Sequence, residues 1–174
     1  MKPGPALLCL ALAMPVVAHG ALLQSTADGF VVEHRFHVAA PPATAWQVLV
    51  HPERWWPGDH TWSGSATNLS LAPEAGGCFC ERWASGSAEH GRVVQVQQPQ
   101  LLRFNGALGP LQDMAVTGVL TVTLAPAGAE TDATVTYRVS GDASHKLDLL
   151  APVVDKVIGQ QFGGFASLAS RPSR

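Results

Sequence analysis

The stretch from Ser144 to Ser170, "SHKLDLLAPVVDKVIGQQFGGFASLAS", decides how the chain is read. Leu150, Val154, Val157, Gln161, Phe165 and Leu168 recur at the three- and four-residue spacing of one helix face, which predicts a long amphipathic helix. Pro152 must lie in its first turn or kink it, and Gly159, Gly163 and Gly164 each lower helix propensity by about 1 kcal/mol relative to Ala. A bent or locally loosened helix is expected.

Upstream of this helix the period changes. "TNLSLAPEAGG", "CFCERWASGSAE", "HGRVVQVQQPQ", "LLRFNGALGP", "VTGVLTVTLAPAGAE" and "ATVTYRVSG" are strand-length runs rich in Val, Leu, Thr and aromatics. Gly, Pro, Asp or Ser separates each run from the next, the pattern of an antiparallel meander. An earlier run, Phe30 to Ala40, alternates and stops at Pro41-Pro42. Between them "PPATAWQVLVHPERWW" spaces Ala45, Trp46, Leu49 and Val50 for a short helix begun by Pro42 and ended by Pro52. The fold class is therefore α+β: about seven antiparallel strands in a curved sheet around one long C-terminal helix, with one or two short helices after the first strand.

That arrangement predicts a hollow. A helix is about 10 to 12 Å across with its side chains, narrower than a sheet whose strands are spaced about 4.8 Å apart. The inner face left uncovered either carries large side chains or bounds a small-molecule cavity. The segment "HPERWWPGDHTWSG", His51 to Gly64, sits where the mouth of such a cavity would be, with Trp55, Trp56 and Trp62 available to line an entrance or to plug the core.

The first residues, "MKPGPALLCLALAMPVVAHGALLQ", carry one Lys, an apolar run and then small residues, the order of a secretory signal peptide. Residues 1–20 are expected to be that leader, with cleavage after Ala18 or Gly20, and residues 29–170 a single ligand-binding domain. A periplasmic or secreted location follows. Nearly half of the residues are apolar (47%), 14% are charged and the net charge is −2, so neither a disordered chain nor an electrostatic nucleic-acid binder is indicated. Beyond the leader no segment is apolar for long enough to suggest stable membrane insertion. The expected partner is a small hydrophobic or amphipathic molecule; oligomeric state is not encoded.

Among polar residues, the Asp59-His60 pair and Glu81 are the candidate acids and bases. Alternation in "CFCERW" puts Phe79, Glu81 and Trp83 on one face, so an inward Glu81 needs a partner such as His90, Arg92 or Arg103. Trp55, Trp56, Trp62, Phe79, Glu81, Trp83, Phe104, Met114, Tyr137, Val157, Gln161 and Phe165 are the candidate ligand contacts. "GALGPLQDMAVTG" reads as a mobile flap or a wide hairpin loop. Cys78 and Cys80 read as two buried strand thiols, because residues two apart on an extended strand hold their α-carbons near the upper limit for a disulfide. No His or Cys cluster has metal-ligand spacing, no phosphate loop or nucleophile elbow is present, and no cofactor is expected.

The order of elements, with "APPATAWQVLVHPERWWP", "AGGCFCERW" and "EHGRVVQVQQPQLLRF", resembles the SRPBCC superfamily, the START-like and birch-allergen-like helix-grip proteins, over nearly all of the chain after Gly29. The nearest look is to polyketide-cyclase-like and chaperone-ATPase-activator-like bacterial members. The resemblance implies a deep pocket between sheet and long helix. It does not imply one activity, since members include carriers, binders of hormones and secondary metabolites, aromatases, cyclases and chaperone regulators. No catalytic motif carries over to this sequence, and a secretion signal departs from the superfamily's mostly cytosolic habit.

Overall fold

The computed structural model describes residues 19–172. Apart from its last two residues, the expected leader lies outside the described residues. Eight antiparallel strands form one sheet: β1 His19–Thr26, β2 Gly29–Val38, β3 Leu69–Leu71, β4 Cys78–Trp83, β5 Gly86–Gln97, β6 Leu101–Asn105, β7 Thr117–Ala127 and β8 Glu130–Ser140. Their order across the sheet is β1-β2-β8-β7-β6-β5-β4-β3. Strands β3 to β8 are the predicted meander, and β2 is the predicted first strand. The eighth strand is β1, which lies before the expected start of the domain and joins β2 through a two-residue turn at Ala27-Asp28.

Strand alternation builds the core. On β2, Phe30, Val32, Phe36 and Val38 are buried, and on β8, Ala133, Val135, Tyr137 and Val139 are buried, each set on one side of its strand. Leu120, Val122 and Leu124 of β7 and Leu102 and Phe104 of β6 extend that inner face. After β2 the chain forms one short α-helix, α1 (Pro42–Leu49), with Pro42 in its first turn, followed by single 3-10 turns at Pro52–Arg54, Gly58–His60 and Ala66–Asn68. The prolines that interrupt "HPERWWPGDH" account for that break into short turns.

The long helix, α2, runs from Leu147 to Ala169 and is continuous through Pro152. Its packed face is Leu147, Ala151, Ile158, Phe162, Phe165, Ala166 and Ala169. The stripe read from the sequence is turned slightly away from this face, so that Leu150, Val154, Val157 and Gln161 border open space instead. The helix glycines mark close approaches. A Cβ on Gly159 would come within 2.7 Å of the His34 ring, and one on Gly164 within 2.6 Å of the Trp55 carbonyl oxygen. His34, on the inner face of β2, is pinned there by Asp155 of α2, whose backbone oxygen lies 3.0 Å and carboxylate 2.8 Å from Nε2.

Candidate functional site

The space between sheet and helix is divided in two. Toward the C-terminal half of α2 it is solid with rings: Trp55 packs on Trp56, Phe162 and Phe165 at centroid distances of 5.4, 5.3 and 5.8 Å. Phe79 continues the cluster, 5.2 Å from Trp56 and 5.7 Å from Phe104. Edge-to-face and tilted contacts of this kind add to area burial and hold the rings in fixed positions. Trp55 is further fixed by its indole N–H donating to the Val48 carbonyl at 2.9 Å.

Toward the N-terminal half of α2 the space is hollow, with a cavity of about 470 Å³. One wall is Leu150, Val154, Val157 and Ile158 of α2, and another is the connection Leu108, Pro110, Leu111 and Met114. Tyr137 of β8 and His90 of β5 come from the sheet, and Trp56, Asp59, His60 and Trp62 from the loop after α1. Val153 of the helix and Trp62 of the loop are 63% and 51% exposed while also bordering the cavity, so they stand at its mouth.

The three tryptophans of the loop therefore have three positions. Trp55 belongs to the plug, Trp56 is the partition between plug and cavity, and Trp62 stands at the entrance. Trp56 is oriented by its indole N–H donating to the His60 carbonyl at 3.0 Å, across the 3-10 turn that carries Asp59 and His60. Of the remaining sequence candidates, Met114, Tyr137, Val157 and Gln161 line the cavity. Phe79, Phe104 and Phe165 lie in the plug, because side chains from the sheet centre meet the helix where it lies closest. Trp83 lies elsewhere, folded over Gly86 at the far end of the β4–β5 hairpin, where a Cβ would fall 2.6 Å from its ring. The connection that reads as a mobile flap or a wide hairpin loop is tied down: Leu111 is buried, the Leu108 amide donates to the Tyr137 hydroxyl at 3.0 Å, and Gln112 donates to the Glu89 carbonyl at 2.8 Å.

Glu81 does not border the cavity; it supports residues that do. Fully buried, its carboxylate accepts from the backbone amides of Trp62 and Ser63 at 3.0 and 2.6 Å and from His90 Nε2 at 2.9 Å. Burial alone would raise its pKa, but the hydrogen bonds from Ser63, the Trp62 amide and His90 outweigh it and hold the carboxyl below its ordinary range. An ionised carboxylate only accepts, so the bridging proton sits on His90 Nε2. The predicted partner of Glu81 is thus His90. Arg92 pairs instead with Glu89, and Arg103 bonds Thr121 and Gln95.

His90 as a cavity residue is what the sequence reading missed. Phe79 pairs with Gly91 while Cys80 pairs with Glu89, so β5 carries one residue more than β4 and both His90 and Gly91 are buried. A bulge of this kind re-aims one side chain, and only the adjacent glycine in "EHGR" hinted at it. Across the cavity, Gln161 lies only 4% exposed, its amide nitrogen 3.5 Å from His60 Nδ1 and its amide oxygen without a hydrogen-bond partner. Tyr137 is satisfied, donating to the Gly106 carbonyl and accepting from Leu108, and burial pushes its phenol above the ordinary value.

Cys78 and Cys80 are joined as a disulfide, which corrects the expectation of two thiols. Their α-carbons are 5.4 Å apart, well inside the bonding range. The same two sulfurs with Glu89 form the one grouping of three potential metal donors found among the described residues. Among those residues, no helix is long and apolar enough to cross a membrane.

Several solved structures share this architecture. Norcoclaurine synthase of Thalictrum flavum, a point mutant in complex with a transition-state analogue, aligns at 14% identity and a TM-score of 0.58 over 90% of this chain and 97% of its own. CalU16 of Micromonospora echinospora aligns at 14% identity and 0.58 over 92% and 88%. MLL2253 of Mesorhizobium loti aligns at 19% identity and 0.57 over 83% and 99%. At these identities the likeness is one of fold. No curated protein matches the sequence. Residues 30–170, from the first core phenylalanine to the end of the long helix, match the family described as polyketide cyclase / dehydrase and lipid transport, and the chain belongs to that family, within the helix-grip superfamily its sequence resembles.

Proposed function

We propose that the chain binds a small hydrophobic or amphipathic molecule between its sheet and its long helix, as a carrier or sensor. The observation that carries this reading is an apolar-walled cavity of about 470 Å³ lying beside a densely packed core. Volumes of about 300 to 1,000 Å³ with a few polar groups in an apolar wall are those of small-molecule sites. A protein-contact module would have had its interior filled, and the hollow argues against it. Native mass spectrometry of the protein isolated from its own host tests the reading: an adduct of a few hundred daltons that is lost on denaturation is expected. A bare polypeptide that also binds none of a panel of apolar ligands would overturn it. Residues 1–20 are proposed to be a removed leader and the mature protein to work in the periplasm or outside the cell, which intact-mass measurement of exported protein checks.

One observation favours a second reading, acid–base chemistry on the bound molecule. His90 borders the cavity with its Nε2 proton held by Glu81, which leaves Nδ1 as the basic nitrogen. For a methyl ketone such as acetonaphthone in heavy water, His90 would take a proton from the methyl carbon, leaving an enolate that regains a deuteron. Deuterium incorporation above that caused by free imidazole, lost in His90→Gln, is the expected result; equal rates would remove this reading.

A further inference from the structure

The outer side of the β4–β5 hairpin carries chemistry that the cavity does not use. Phe79 and Glu81 of β4 are buried toward the interior, so alternation turns Cys78 and Cys80 to the opposite side of the sheet. Cross-strand pairing sets Glu89 beside Cys80 and Arg92 beside Cys78. The two sulfurs and a Glu89 carboxylate oxygen all lie within 4.8 Å of one another, with Cys78 half-buried and Glu89 exposed. Sequence spacing could not show this trio, because its third donor comes from the neighbouring strand.

Two thiolates and a carboxylate suit a borderline-soft divalent cation of the zinc class, which takes Cys sulfur at about 2.3 Å and carboxylate oxygen at about 2.0 to 2.2 Å. Donors around one tetrahedral ion of that size stand about 3.5 to 4 Å apart. Cys78 Sγ and Glu89 Oε2 are already 3.9 Å apart. Arg92 donates to Glu89 Oε2 and holds the carboxylate beside the sulfurs, while each oxygen keeps a lone pair for a cation. The charges of two thiolates, one carboxylate, one guanidinium and a divalent cation cancel, so the half-buried position carries no uncompensated charge.

In the oxidised protein the sulfurs are bonded to each other and neither is a thiolate. The bridge closes too short a loop to matter much for stability, and the hairpin is held by its backbone ladder and by the Glu81–His90 contact, so it keeps its form when the bridge opens. We propose that Cys78, Cys80 and Glu89 form a redox-gated site for a zinc-class cation. A dithiol reductant breaks the S–S bond, giving up two electrons and two protons and leaving as its own disulfide; the cation then displaces both thiol protons to solvent as it binds. Ligand binding in the cavity has no part in this, so the two readings stand or fall separately.

Protein reduced with a phosphine, freed of reductant and kept from air should take one equivalent of Zn2+ from a chromogenic chelator, and with Co2+ should develop thiolate-to-metal charge-transfer absorption. The oxidised protein should do neither. Glu89→Gln keeps both thiols and changes an exposed side chain; it should weaken Zn2+ binding at least about tenfold, the loss usual even for a group that only supports a ligand. Circular dichroism of the reduced, metal-free protein should match that of the oxidised form. No metal uptake after reduction, equal uptake by the oxidised protein, unchanged affinity in Glu89→Gln, or loss of the fold on reduction alone would each overturn the site.

Discussion

Glu81 of β4 and His90 of β5 meet at 2.9 Å across their hairpin because β5 carries one residue more than β4 between the Phe79–Gly91 and Cys80–Glu89 pairs. The carboxylate also gathers the amides of Trp62 and Ser63, so a single side chain holds the entrance loop, the bulge and the cavity histidine in register. Removing its charge should act on all three.

Glu81→Gln is accordingly expected to destabilise the fold by about 3 kcal/mol, since a buried charge-assisted network loses its acceptor and gains an ill-placed donor. The pH dependence has a definite sign. The folded-state pKa of Glu81 is depressed, so its contribution is present above the ordinary carboxylate range and is lost as pH falls through the folded value. Melting temperatures of the wild type measured downward from neutrality should fall more steeply on acidification than those of Glu81→Gln; parallel curves would contradict this.

Trp55 and Trp62 should respond oppositely to truncation. Trp55→Ala opens a void in the ring cluster and is expected to cost about 3 to 5 kcal/mol in denaturant unfolding. Trp62→Ala, at a half-exposed entrance position, should change stability by less than about 0.5 kcal/mol while weakening binding of an apolar ligand. An unchanged ligand affinity in Trp62→Ala would remove it from the site.

Adjacent glycines in α2 offer a test of packing against propensity. At Gly163 an added Cβ meets nothing closer than the Phe36 ring at 4.0 Å, so Gly163→Ala should stabilise by about 0.5 to 1 kcal/mol through helix propensity. At Gly164 the same atom would fall 2.6 Å from the Trp55 backbone oxygen. Gly164→Ala should therefore destabilise despite the same propensity gain, and thermal denaturation of the pair gives the two signs directly.

The Cys78–Cys80 bond closes a very short loop, so its chain-entropy contribution is limited to about 1 to 2 kcal/mol. Alkylation of the folded, unreduced protein should leave both cysteines unmodified, and reduction should lower the unfolding midpoint only slightly. Two reactive thiols before reduction would restore the reading made from the sequence.

The fold was legible because it depends on period. The alternation of β7 and β8 and the helical spacing after Lys146 each point one way, and the narrowness of one helix against a wide sheet foretold the hollow. Strand β1 was not read, although Asp28-Gly29 is a hairpin signal, because the residues before it also continue a leader pattern. The site was only half legible. Met114, Tyr137, Val157 and Gln161 border the cavity, yet His90 reaches it through a bulge, and a bulge breaks the alternation on which any strand-facing argument rests. Phe79, Phe104 and Phe165 were assigned to the cavity rather than the plug because composition cannot say which end of a hollow is stoppered.

That lopsided filling bears on how the long helix moves. Amides from Gln161 onward rest on interlocked rings and should resist exchange with deuterated solvent, opening only when the whole domain unfolds, whereas those between Leu150 and Ile158 border a void and should open locally and sooner. An arriving guest would erase that difference, so slowed exchange in the first half of the helix reports occupancy without a labelled ligand.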